Sequence, residues 1–144
     1  MSAFKFSLQP VLKHRTDLEE DKKNSYHQAK QMLQIEEEKV KKLTEKISEL
    51  NASLEKTGMI NVTVFNHVIH YREQLNQELK LQKNKQKEST KQVEIAQQNL
   101  LQARVDVQVL EKMKEKQQDQ YIQQINYEEA KLLDELACIS YGRT

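Results

Sequence analysis

Residues 54–63 read Leu54-Glu55-Lys56-Thr57-Gly58-Met59-Ile60-Asn61-Val62-Thr63. Gly58 is one of only two glycines in the 144 residues; the other, Gly142, is almost at the end, and the single proline, Pro10, is almost at the start. Glycine and proline are the strongest local punctuation a chain has. Gly58 suits the left-handed position just past a helix C-terminus, and Asn61 or Thr63 can cap a following helix. These residues predict a turn at about 58–63 between a helix of about 8–57 and another of about 64–140. The expected fold is all-α, a long antiparallel two-helix coiled-coil hairpin, with residues 1–144 forming one domain.

Both flanking stretches have the periodicity this needs. Before the turn, Tyr26, Ala29, Leu33, Val40, Leu43, Ile47, Leu50 and Leu54 advance in alternating steps of three and four, interrupted by Glu36. That is a coiled-coil seam. Upstream, Leu8, Val11, Leu12 and Leu18 form a separate apolar stripe out of strict register with it. Ser7 is the expected N-cap, Pro10 falls in the first turn, and Phe6 with Val11 occupy the positions of a hydrophobic staple. Glu19/Lys23, Glu37/Lys41 and Glu38/Lys42 are acid-first pairs one helical turn apart.

After the turn the seam is weaker: Val68, Arg72, Leu75, Leu79, Gln82, Gln86, Ser89, Val93, Ala96, Leu100, Ala103, Val107 and Leu110. Gln82 to Ser89 is a polar gap, and so is much of 114–120. The stripe resumes on a shifted register at Ile122, Ile125, Leu132 and Leu136. Polar and small seam residues hold helices together poorly, so this coil is expected to be only moderately stable alone. At 1.5 Å per residue the first arm is roughly 70–75 Å long and the second roughly 110 Å. If they pair antiparallel from the turn, the last stretch of the second arm projects beyond the first. Its apolar stripe must then face another protein, another copy or solvent.

Composition narrows the function. Charged residues make up 31% and hydrophobic ones 37%, a thin and regular apolar content that fits a coiled coil better than a compact globule. Lysines and arginines nearly balance acids, for a net charge of +1, and the two halves are balanced separately. No basic face is set apart for nucleic acid. No apolar run approaches the length of a transmembrane helix or signal region. Cys138 is alone, so no intramolecular disulfide is available. Two glycines cannot build a phosphate-cradling loop. His67 and His70 stand one turn apart with no Cys near and no acid on the same turn, a poor metal site. Asn51 and Asn61 head glycosylation sequons, which carry little meaning in a chain without a secretion signal. A two-helix rod has no pocket to hold an acid–base pair. No enzyme activity, catalytic residue, cofactor or metal is expected, and the simplest location is the cytosol.

The opening Phe4-Lys5-Phe6-x-Leu8-x-x-Val11-Leu12-x-x-Arg15-x-x-x-Glu19 resembles the N-terminal signature of the FliJ family, the flagellar export chaperone and ATPase-stalk proteins. Phe65, Tyr71, Arg72 and Leu75 are similar to the aromatic-rich segment after that family's turn. Leu100, Ala103 and Arg104, then Glu111-Lys112-Met113-Lys114-Glu115, Leu133-Asp134-Glu135-Leu136-Ala137 and Tyr141 continue the likeness over essentially the whole chain.

The resemblance implies a non-enzymatic stalk of the flagellar type III export apparatus, similar in fold to a rotary-ATPase central stalk. It implies that the end bearing both termini binds the hexameric export ATPase ring and promotes its assembly and activity. On this chain that end comprises Phe4, Phe6, Leu8, Val11, Leu12 and Arg15 with Leu132, Leu133 and Leu136. It implies that the turn-proximal part meets the cytosolic domain of the membrane export gate protein, here through Leu50, Leu54, Phe65, Val68, Tyr71, Arg72 and Leu75. Export chaperones are further implied partners. The implied location is the cytoplasm, peripherally at the inner face of the cell membrane under the flagellum. The alternatives are the equivalent stalk of a virulence-type injectisome, a rotary-ATPase stalk fragment or peripheral subunit, and a generic homodimeric coiled-coil scaffold.

Overall fold

The computed structural model describes residues 3–56 and 61–142. The expected turn glycine, Gly58, lies outside the described residues. The protein is all-α, with α1 at Gln9–Lys56 and α2 at Val62–Gly142 packed against each other as a helical hairpin. No strand occurs among the described residues. Two compact units divide it: a terminal unit of Met1–Glu20 with Leu101–Thr144, and a middle unit of Asp21–Leu100.

The local signals at the helix starts resolve differently. At α2 the Asn61 carbonyl accepts the first helical bond from Phe65 N at 2.9 Å, and its side-chain Oδ1 accepts a bond from Thr63 N at 3.3 Å. Asn61, rather than Thr63, is therefore the cap. Asn61→Ala is expected to cost about 1 kcal/mol of stability, seen as a lower urea midpoint by circular dichroism. Thr63→Ala should stay within about 0.5 kcal/mol.

At α1 the first helical bond runs from Leu12 N to the Leu8 carbonyl at 2.9 Å, preceded by a turn closed by Gln9 N on the Phe6 carbonyl at 3.1 Å. Leu8 thus holds the cap position expected of Ser7. The start moves by one residue, which rotates the facing side chain by about 100°. The staple moves with it. Phe6 packs with Leu12 rather than with Val11, which stays 42% exposed.

In the middle unit the seam positions are the least exposed ones on both helices. On α1, Tyr26, Ala29, Leu33, Val40, Leu43, Ile47, Leu50 and Leu54 are half-buried, and on α2 Leu75 and Leu100 are buried. Rising numbers on α1 meet falling numbers on α2, Glu36 with Gln82 and Asn51 with Arg72, so the pairing is antiparallel. The interruption at Glu36 has a structural partner. Glu36 and Gln82 are both buried, Gln82 Nε2 donates to Glu36 Oε2, and Lys39 Nζ lies 3.8 Å from the other carboxylate oxygen. Two polar interruptions, one per helix, satisfy each other.

The terminal unit pairs antiparallel too. Arg15 Nη1 lies 3.5 Å from Asp106 Oδ2, and Arg104 Nε lies 4.0 Å from Glu19 Oε1. Glu19 reaches across to the other helix instead of along its own to Lys23, and the Glu37/Lys41 and Glu38/Lys42 pairs do not form. Exposed pairs of this kind contribute only about 0.2–1 kcal/mol, too little for sequence spacing to dictate their choice.

Candidate functional site

The terminal unit combines a closed part and an open part. In the closed part Phe6, Leu12 and Val107 form a buried cluster, with Phe4, Leu8 and Leu110 packed against it. The Phe4 ring meets Tyr121 with centroids 5.6 Å apart at 43°. Non-helical residues 3–6 thus lie against the helices, with Phe4 farthest along α2, and the seam of α2 continues through half-buried Lys114, Gln117 and Tyr121. Lys114 and Gln117 fall in the stretch expected to be a polar gap, and Tyr121 lies just past it. The signal was available in the unbroken three-and-four stepping from Leu110 to Tyr121.

The open part is the rest of α2. From residue 126 to 142 every described residue is exposed. The apolar side chains there are not small: Leu132 is 57% exposed, Leu133 65%, Leu136 53% and Ile139 55%. Such a face on a helix is normally buried against another element.

The nine residues assigned to the ATPase-binding end therefore divide. Phe6 and Leu12 are buried inside the unit, and Phe4 and Leu8 are partly buried against them. Arg15 is half-exposed and engaged with Asp106. Val11, Leu132, Leu133 and Leu136 are exposed. All nine residues that the resemblance implied fall in one unit, and those inside its own packing have little surface left to offer.

The gate-binding set divides in the same way. Within the middle unit Leu75 is buried, and Leu50, Leu54 and Val68 are half-buried along the seam. Arg72 is half-buried, with Nη1 donating to Asn51 Oδ1 at 3.4 Å. Only Phe65 and Tyr71 are exposed, with Val62 and Val64 exposed near them in sequence on the first turn of α2. Val62 falls in the stretch 58–63 expected to be turn, and Val64 stands at the expected start of the helix, outside the apolar stepping. Val62 and Phe65 stand one turn apart on one side of the helix, and Val64 and Tyr71 two turns apart on the other.

The remaining chemistry is sparse. Among the described residues no group of three or more His, Cys, Asp or Glu is placed to hold a metal ion, and His67, His70 and Cys138 are exposed. No helix of the described residues is long and apolar enough to cross a membrane. What the molecule offers is exposed apolar side chains, at the start of α2 and over 126–142 but also along the helices, as at Ile35, Leu81, Leu101, Val105 and Val109, and such surface suits binding to other proteins.

Comparison with curated proteins and with solved structures gives no match. The family described as flagellar FliJ protein matches residues 4–144, essentially the whole chain. The chain therefore belongs to the FliJ family, non-enzymatic components of flagellar type III protein export.

Proposed function

We propose that the protein is the stalk of the flagellar export ATPase, docking to the hexameric ring through its terminal unit and to the membrane export gate through its middle unit. The observation that carries this reading is the exposed apolar face at Leu132, Leu133 and Leu136. A helix that keeps such a face open through residues 126–142 gains most by burying it against another protein. Apolar anchors of this kind supply most of an interface's energy.

The contact residues on the ATPase side are Val11, Leu132, Leu133 and Leu136, with Arg15 at the rim. Phe6, Leu12, Phe4 and Leu8 act as their support, holding α2 in place at the level of Tyr121. On the gate side Phe65 and Tyr71 make the contact, and Leu75, Val68, Leu50 and Leu54 support them. Arg72 positions α2 against Asn51. Export chaperones compete for the same exposed surfaces, and the stalk works at the inner face of the membrane without entering it.

The test is reconstitution with purified flagellar export ATPase and the cytosolic domain of the export gate. Leu132→Ala with Leu136→Ala removes two anchors and is expected to weaken ATPase binding and stimulation by at least about tenfold, with the circular dichroism spectrum unchanged. Tyr71→Ala should leave ATPase stimulation intact and weaken gate capture. Unchanged ATP hydrolysis with a stoichiometric amount of the wild-type protein would remove the reading. Equal effects of both variants on both partners would mean that the two docking surfaces are not the separate ones assigned here.

A further inference from the structure

The open face of α2 has a charge pattern as well as an apolar one. Exposed Ile122, Glu129, Leu132, Leu136 and Ile139, together with half-buried Ile125, advance in steps of three and four, the rhythm of a coiled-coil seam. One flank of that seam carries Glu128 and Glu135, a heptad apart; the other carries Asn126, Leu133 and Ser140. Glu129 sits in the seam itself. Glu128 accepts a hydrogen bond from Gln124 Nε2 at 3.2 Å, while Glu129 and Glu135 have no ion-pair or hydrogen-bond partner among the described residues. Lys131 is the one cation against Glu128, Glu129, Asp134 and Glu135 in residues 122–142.

A second copy fits this face badly. Antiparallel self-pairing sets Glu128 and Glu135 against the same residues of the other chain. Parallel self-pairing sets Glu129 against Glu129 inside the seam and leaves the flanking acids opposite Leu133 and Ser140. Like charges in those places destabilise a coil and steer partner choice. An anionic lipid surface is repelled for the same reason.

We propose that this face receives a partner protein's apolar helix or groove wall that carries Lys or Arg along one side, with a donor to meet Glu129. The proposal rests on reading the terminal unit as a docking end, and adds the sign of the surface that docks. Such complementarity sets orientation and speeds encounter.

The probes are three designed amphipathic helices with the same Leu/Ile seam and flanks of Lys, Gln or Glu, titrated onto the full-length protein by fluorescence anisotropy. The Lys-flanked helix is expected to bind at least about tenfold tighter than the Glu-flanked one, with a difference that shrinks as salt rises. The double variant Glu128→Lys with Glu135→Lys should invert the order. Equal binding of all three helices, or an order that survives the charge reversal, overturns the proposal. So does a wild-type dimer in sedimentation that Leu132→Ala disperses. The same double variant against the export ATPase separates the two readings. Lys-helix selectivity without ATPase capture sinks the ATPase assignment and keeps the acidic docking face. ATPase capture that is insensitive to the charge reversal, together with unselective helix binding, does the opposite.

Discussion

Phe6→Ala is expected to destabilise the terminal unit by about 2–3 kcal/mol, somewhat below the usual cost of removing a core phenylalanine. Phe6 is only 7% exposed, and its ring packs with Leu12 and Val107. Removing it uncovers both partners and frees residues 3–8, including Phe4 from its contact with Tyr121. The cost stays below that of a globular core because a two-helix surface can collapse into the space left behind. Hydrogen exchange should quicken over the first turns of α1 and around Val107. Val11→Ala is the control: at 42% exposure it should change stability by no more than about 0.5 kcal/mol. If Val11→Ala proves the costlier substitution, the start of α1 has been placed one residue wrong.

Gln82→Leu is expected to cost about 2–3 kcal/mol, because it leaves the Glu36 carboxylate buried without its donor. Lys39 at 3.8 Å softens the loss without replacing the bond. Glu36→Leu alone should cost less, since it strands a neutral amide rather than a charge. The double variant Glu36→Leu with Gln82→Leu should recover wild-type stability or exceed it, as buried polar pairs often do when both partners become apolar. Urea melts of the four proteins form a cycle whose coupling term measures the pair. A polar seam position also specifies register, so spin-label distances between the exposed faces of α1 and α2 should broaden in the double variant. A Gln82→Leu protein as stable as wild type would show that the pair holds nothing.

Much of the fold was legible because a coiled coil writes its contacts in a local rhythm. Val68, Leu75, Leu79, Val93, Leu100, Val107 and Leu110 were identified by spacing alone, and each is half-buried or buried. Glu36 and Gln82 were visible as interruptions, one on each arm. Their meeting was not, because the register between arms depends on the turn and not on either stretch. Val11 was placed on the packed face because a shift of one residue at the helix start is invisible to periodicity. The open stripe at Leu132 and Leu136 was legible from unequal arm lengths. Which apolar residues are buried and which stay exposed was not: Leu12 and Leu132 look alike in sequence, and only the presence of an opposing helix separates them.

The antiparallel pairing has a consequence for synthesis. Asn51 and Arg72, bonded near the middle of the chain, are both made early and close in time. Phe6 is made before either of them and must wait for Val107, on the order of several seconds at about 5–20 residues per second. Until then Phe6 and Leu12 stay uncovered. Contacts of low sequence separation form fastest, so the hairpin zips from its middle toward its termini. The most tightly packed cluster of the terminal unit is then the last to close, and a ribosome that stalls before Val107 releases a chain whose earliest hydrophobic residues still have nothing to bind.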